Sequence, residues 1–300
     1  MQSSKSPKFI IIGNGSNLLI NDARNFNGLV IKMSIKGINI ESHNKKNTIV
    51  SACAGESIDD LINFMINKKL SGIENLWNIP GTIGASVVQN IGAYGAEVKN
   101  YVFYVEGINT KNLKRFKSKN KDCNFEYRNS IFKKNKHLII TKVFLKLNNH
   151  FLPNLEYPAL KKCFKSKKNI KIKQVIKTIE KIRSEKLPDY KVLASAGSFF
   201  KNPILTVSKY KELLRLYPAL PCYKDKNHSI KIPLGFVIDK ICDMRGYRNG
   251  QVGLFEKQSL IIVNYGGATY SSVDNFAKFI ENKVFKKTKI KIEREVENIF

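Results

Sequence analysis

Between residues 57 and 70, apolar side chains recur at Ile58, Leu61, Ile62 and Met65, the spacing that gathers them on one face of a helix. Ser57 stands where an N-cap belongs, and Asp59 and Asp60 suit the positive end of the helix dipole. Lys68 and Lys69, followed by Gly72, form the stop signal. The same spacing puts Ile172, Val175, Ile176, Ile179 and Ile182 on one face of a helix over 172–186, with Pro188 just beyond it. Shorter patterns predict helices over 234–243, stopping near Gly246, and over 272–285. Continuous or alternating apolar runs predict strands. These are a buried FIII (9–12) broken by GNGSN (13–17), LVIKM (29–33), VFYVEGI (102–108), HLIITKVFLKL (137–147), SLIIVN (259–264) and a terminal IKIEREV (290–296). Residues 71–95 lose periodicity and become rich in small side chains, and a polar, basic connector contains LEYPAL (155–160).

Strands and helices interleave with hairpin-like stretches, so the pattern predicts a mixed α/β or α+β chain. After Pro188 the composition shifts toward Gly, Pro and aromatics, which places a domain boundary there. There is no internal repeat.

Composition changes this picture little. The chain has 300 residues, enough for two or three domains, and 43% of them are hydrophobic, an ordinary globular value. No apolar run approaches the roughly 20 residues of a membrane span. The apolar run FIII is too short for the core of a secretory signal, so the expected location is cytoplasmic. The 5 cysteines and 4 histidines are scattered and include no C-x-x-C pair, so neither a disulfide framework nor a metal site is expected. The formal net charge of +28 would suit nucleic-acid binding. Lysine is nevertheless spread from end to end among Asn and Ile, as in KNLKRFKSKNK (111–121), which reads as a solvated surface shaped by compositional drift.

Five places could bear chemistry. The glycines of GNGSN let backbone N–H groups converge on a phosphate, although a plain strand-end turn fits equally well. Position 18 is Leu18 where a dinucleotide fingerprint needs a third glycine, so a Rossmann reading fails. IPGTIGASVVQNIGAYG (79–95) has four glycines, two alanines and no charged side chain. Its Ile and Val residues need burial, its small residues let backbone lie against a flat ligand, and Ser86, Gln89 and Asn90 offer polar contacts. A glycine-rich packing corner is the alternative. Arg128 in EYRNSIFK (126–133) can pair a carboxylate or phosphate, yet on pattern alone it reads first as a structural ion pair. Ser198, between Gly197 and two phenylalanines, has no G-x-S-x-G around it and reads locally as a buried turn serine. Glu295 reads alone as an exposed strand carboxylate.

Taken together, these segments resemble the UDP-N-acetylenolpyruvoylglucosamine reductase family. GNGSN (13–17), GIENLWNIPGTIGASVVQNIGAYG (72–95), EYRNSIFK (126–133), KLPD (186–189), AGSFFKNP (196–203) and EREV (293–296) occur in that family's order and spacing. The resemblance implies an α+β chain: an FAD-binding module of the vanillyl-alcohol oxidase type (1–187), a smaller α/β substrate-binding domain (188–288), and a strand returning to the FAD module (289–300). Family members begin with a further strand–helix–strand before the segment matching FIIIGNGSN, so the resemblance implies that part of the FAD module is absent here. The implied cofactors are FAD and NADPH, and the implied substrate is UDP-N-acetylglucosamine enolpyruvate. The implied product is UDP-N-acetylmuramate, a peptidoglycan precursor. The nearest alternative is another FAD oxidoreductase of the same fold, acting on an alcohol or hydroxy acid.

The resemblance also implies roles. Gly13, Asn14, Gly15, Ser16, Asn17, Gly81, Thr82, Gly84, Ala85, Gln89, Asn90, Gly92, Ala93, Tyr94 and Gly95 would hold FAD. Ser198 matches the proton donor, and Arg128 and Glu295 match the pair near the substrate carboxylate. Lys186, Asn202 and Gln258 match residues holding the uridine diphosphate sugar. Tyr157 in LEYPAL matches the tyrosine of a mobile loop that closes on substrate.

Overall fold

Antiparallel pairing organises the first half of the chain in the computed structural model, which describes residues 8–165, 168–224 and 229–299. The chain divides into two compact units, one holding the residues up to Gly15 and Asn27–Arg183, the other Ser16–Phe26 and everything from Ser184 onward.

In the first unit β1 (Phe9–Ile12) pairs in parallel with β3 (Leu29–Lys32); β2 (Leu18–Ile20), between them in sequence, falls in the second unit. Next come β4 (Ile38–His43), β5 (Asn47–Cys53), α1 (Ile58–Asn67) and α2 (Ile83–Gln89). The two-residue strands β6 (Gly92–Ala93) and β7 (Ala96–Glu97) form a tiny hairpin. They are followed by β8 (Val102–Asn109), β9 (Lys114–Lys119), α3 (Ile131–Lys134) and β10 (Leu138–Asn148). The main sheet has the order β4-β5-β10-β8-β9, antiparallel throughout. Val50, Ala52, Val105, Val143, Leu145 and Leu147 of this sheet share one core with Ile58, Leu61, Ile62 and Met65 of α1. Burial of each large side chain there stabilises by about 1.5–3 kcal/mol. A smaller core joins α4 (Pro158–Phe164) to α5 (Ile172–Lys186) through Leu160, Phe164, Val175, Ile179 and Ile182.

The second unit begins its sheet with β11 (Ala194–Ser198) and continues through β12 (Ile204–Leu205), α6 (Val207–Leu216), β13 (Tyr223–Lys224) and β14 (Ile230–Lys231). A short α7 (Leu234–Phe236) runs into one π-helical turn, Val237–Ile241. Then come β15 (Arg248–Asn249), β16 (Val252–Phe255), β17 (Gln258–Asn264), α8 (Tyr270–Thr288) and β18 (Glu297–Ile299). The larger sheet has the order β11-β17-β16-β15, and β18 lies parallel to β2. Leu254, Ile262, Phe276, Ala277, Ile280 and Val296 belong to its core.

Several expected elements differ in detail. FIII forms a strand, but its partner β3 is exposed along its whole length, so Phe9 is exposed and Ile10, Ile11 and Ile12 are only half-buried. The helix at 57–70 stops at Asn67, because Lys69 already turns left-handed (φ 57) well before Gly72. Ser57 does cap it, its Oγ accepting from the Asp60 N–H at 3.0 Å. Residues 290–296 form no continuous ladder: Arg294 bridges to Phe200, and the regular strand begins only at Glu297. The helix expected over 272–285 is longer, starting at Tyr270 behind a Thr269 cap.

Among the described residues no helix is long and apolar enough to cross a membrane. Cys53 and Cys123 are buried, Cys222 and Cys242 half-buried, and Cys163 on α4 is exposed.

Candidate active site

The first unit brings two glycine-rich segments together. Gly13 ends β1 against the first turn of α2: a Cβ on it would lie 2.9 Å from Thr82 Oγ1 and 3.1 Å from Ala85 Cβ. Gly15 is left-handed (φ 73), with open space where a side chain would stand. Thr82 is buried and caps α2, while Gly84 lies directly on Ala54, its N–H donating to the Ala54 carbonyl at 2.9 Å. A Cβ on Gly84 would come within 2.8 Å of Ala54 Cβ, so only glycine allows this approach. Left-handed backbone at Asn90 (φ 46), Tyr94 (φ 49) and Gly95 (φ 82) then folds the segment back on itself. At the end of α2, Gln89 Oε1 accepts from Lys133 Nζ at 3.5 Å.

Arg128 is held by what surrounds it. Asn90 is wholly buried; its Nδ2 donates to the Glu126 carbonyl (2.8 Å), and its Oδ1 accepts from the Lys99 N–H (3.2 Å). Buried Ser130 donates to the Val88 carbonyl at 2.7 Å. Between these two pins Arg128 takes φ 55, a conformation that costs a non-glycine residue about 1–2 kcal/mol. Its Nη2 donates to the Gly92 carbonyl at 2.6 Å and its Nη1 to the Asn90 carbonyl at 3.5 Å. The result is a fixed, permanent cation beside the glycine-rich segment.

Tyr157 lies at the start of α4 and meets Tyr94 edge to face, with ring centroids 5.2 Å apart. The buried Asn75 Nδ2 donates to the carbonyls of Tyr94 (2.8 Å) and Asn154 (2.9 Å), so the Tyr157 segment is tied to residue 94. Burial pushes the Tyr94 phenol up, while the neighbouring Arg183 guanidinium counters by hydrogen bonding to it. Asn75 Oδ1, Trp77 Nε1 and Arg183 Nε are buried polar atoms without a protein partner among the described residues. Such atoms call for a water or ligand partner.

In the second unit Ser198 closes β11 opposite Ile261 of β17, beyond an irregularity in register after Ser195. Gly197 before it is left-handed (φ 73) with open space around it, and Ser198 is half-buried. The next residue, Phe199, donates to the Leu260 carbonyl (2.7 Å) and accepts from the Glu295 N–H (2.8 Å). Ser198 and Glu295 are thus set on adjacent segments, although they are 97 positions apart in sequence (295 − 198). The Glu295 carbonyl accepts from Asn17 Nδ2 at 3.1 Å.

Asn202 and Gln258 converge on the start of α7. Asn202 Oδ1 accepts from the Leu234 N–H at 2.9 Å, and a Cβ on Gly235 would lie 2.9 Å from Gln258 Oε1. Lys186, the last residue of α5, is exposed.

A family profile described as "FAD binding domain" matches residues 3–111, and one described as "UDP-N-acetylenolpyruvoylglucosamine reductase, C-terminal domain" matches residues 188–299. The protein named UDP-N-acetylenolpyruvoylglucosamine reductase in Buchnera aphidicola subsp. Schizaphis graminum is 39% identical over 295 residues, covering 97% of this chain and 83% of its own. The protein of that name in Porphyromonas gingivalis strain W83 is 37% identical over 294 residues, covering 96% and 85%. This chain belongs to the UDP-N-acetylenolpyruvoylglucosamine reductase family.

The crystal structure of the family's Thermus caldophilus member shares the fold, with a TM-score of 0.67 over 98% of this chain and 86% of that one at 22% identity. The fold is α+β, with an FAD-binding domain followed by the reductase C-terminal domain. Gly13 packs on Thr82 and Ala85 and Gly84 on Ala54, which sets the GNGSN turn against the start of α2, and Gly15 leaves an open, bent turn that could receive a phosphate of FAD.

The sequence alone does not reveal Asn75, Ser130 and Arg183 as partners of this site. Ser130 lies inside EYRNSIFK and Asn75 inside GIENLWN, but neither spacing nor residue type shows which distant carbonyl a side chain will meet.

Proposed function

We propose that this chain catalyses the NADPH-dependent, FAD-mediated reduction of UDP-N-acetylglucosamine enolpyruvate to UDP-N-acetylmuramate, a step in the synthesis of peptidoglycan precursors in the cytoplasm. Family membership carries the reading, and the seating of Ser198 beside the Glu295 segment supports it. When bound, FAD would supply the hydride-transfer chemistry that links NADPH to the enolpyruvyl group.

The chain's own residues do the rest. Gly13, Asn14, Gly15, Ser16 and Asn17, with the segment from Gly81 to Gly95, hold the cofactor. As hydride arrives, negative charge builds on the substrate carboxylate, and Arg128 offers a fixed cation to it. Glu295 completes the pair beside the same group, and Ser198 gives its proton to the adjacent carbon, completing the addition of H⁻ and H⁺ across the double bond. Asn202, Gln258 and Lys186 hold the uridine diphosphate sugar, and Tyr157 closes over it. The +28 charge is read as a solvated surface, so any binding to DNA falls away steeply with salt.

Two half-reactions test this. NADPH should bleach the flavin absorption of the purified protein, and the enolpyruvyl sugar should restore it within a single turnover. Restoration by simple alcohols or hydroxy acids, but not by the enolpyruvyl sugar, would sink the proposal.

A further inference from the structure

Arg294 stands between Glu293 and Glu295, and its side chain is only 18% exposed. Its Nε donates to Glu281 Oε1 at 2.7 Å, its Nη1 to Asp274 Oδ1 at 2.5 Å and its Nη2 to the Asp274 carbonyl at 3.5 Å. Asp274 and Glu281 are two turns apart on α8, so they share one face and present two acceptors to one planar fork. Lys278 Nζ meets the other Asp274 oxygen at 2.8 Å and braces it. The guanidinium carbon also lies 5.8 Å from the centroid of the Phe199 ring, and Phe199 is the residue between Ser198 and the contact to Glu295.

The backbone of residues 293–295 is held by one isolated bridge, Arg294 to Phe200, whose two bonds run from the Lys201 N–H to the Glu293 carbonyl (2.9 Å) and from the Glu295 N–H to the Phe199 carbonyl (2.8 Å), and by Asn17 Nδ2, which donates to the Glu295 carbonyl (3.1 Å). A segment without a continuous ladder needs a side-chain anchor to fix its rotation. We infer that Arg294 is a positioning residue for Glu295: its fork onto α8 sets the rotation of the segment and thereby the direction of the Glu295 carboxyl. The inference rests on the reading of Glu295 given above. A lysine could satisfy only part of this arrangement, since it has no planar fork.

The test uses the full chain loaded with FAD, with the two half-reactions followed separately for Arg294→Met, Arg294→Lys, Glu295→Gln and the double variant Arg294→Met/Glu295→Gln. Arg294→Met should leave flavin reduction by NADPH nearly unchanged but slow reoxidation by the enolpyruvyl sugar about 10–100-fold, the scale of a 1 Å misplacement. Arg294→Lys should recover part of that loss. In the Glu295→Gln background the Arg294→Met change should slow reoxidation no further, because the two act as one unit. Full additivity, or equal slowing of both half-reactions, would make Arg294 merely structural and overturn the inference while leaving the role of Glu295 intact. If Glu295→Gln leaves reoxidation untouched, the reading of Glu295 fails first and the inference falls with it. Should Arg294→Met fail to fold, Glu281→Gln removes one arm of the fork and enters the same cycle with Glu295→Gln, under the same criteria.

Discussion

Asn90, wholly buried, holds the Glu126 carbonyl on a 2.8 Å hydrogen bond two residues ahead of Arg128. Its left-handed backbone is one that glycine also tolerates, so Asn90→Gly removes the side-chain bonds without adding backbone strain. The substitution leaves the Lys99 N–H and the Glu126 carbonyl short of partners, a loss of about 1–3 kcal/mol. Urea unfolding should show this loss, and reoxidation by substrate should slow because Arg128 is no longer pinned. Unchanged stability would mean that water replaces the side chain at no cost.

Ser198→Ala should separate the two half-reactions more cleanly. Reduction of the flavin by NADPH involves no substrate proton and should stay nearly intact. Reoxidation by the enolpyruvyl sugar should slow by about 10²–10⁴-fold, the usual contribution of a positioned proton donor. Equal slowing of both steps would mark Ser198 as structural.

The two glycines of the first turn should respond differently to alanine. At Gly13 the new methyl would stand 2.9 Å from Thr82 Oγ1 and force the turn away from α2. At Gly15 there is room, and only the left-handed backbone resists, at about 1–2 kcal/mol. Titration with FAD should therefore show the larger loss of affinity for Gly13→Ala. The reverse order would mean that the turn does not face the cofactor as proposed.

Acid should reach the Arg294 cluster through Asp274. Burial pushes this carboxyl up, but the bonds from Lys278 and Arg294 outweigh it and hold the group below its ordinary value of 3.8. A carboxyl whose value is depressed in the folded state stabilises above the unfolded value, and that stabilisation is lost as pH falls through the folded one. Asp274→Asn should thus unfold at a lower temperature than the parent at neutral pH. The gap should close as pH drops below about 4, and thermal scans across that range provide the check.

Much of this was legible in the sequence where one local rule decides the outcome. The stripe Ile58, Leu61, Ile62 and Met65 with its Ser57 cap gave a real helix, and the segment at 172–186 matched α5 at both ends. Local rules failed where partners decide. The strands β4 and β5 were not foreseen, because polar residues of INIESH and NTIVSAC dilute the alternation, and Ser51 is buried through its bond to Glu41. α2 escaped notice because small residues dilute its buried face of Ile83 and Val87; Gly84 is there for contact with Ala54. EREV alternates like a strand, yet Arg294 spends its donors on α8 and no ladder forms. The roles of Ser198 and Glu295 came from the resemblance alone, since their neighbourhood depends on a backbone bond between segments far apart in sequence.

The distribution of thiols gives the protein a ready-made reporter. Cys123 is buried, and burial together with Asp122 pushes its thiol up to about 12, so it resists alkylation. Cys53 is buried as well, whereas Cys163 stands exposed on α4, the helix that starts directly after Tyr157. A maleimide dye should attach there first, with Cys222 and Cys242 changed to serine to silence the half-buried sites. Its emission would then follow the Tyr157 segment in real time as the sugar nucleotide is added, on a clock independent of the flavin's colour.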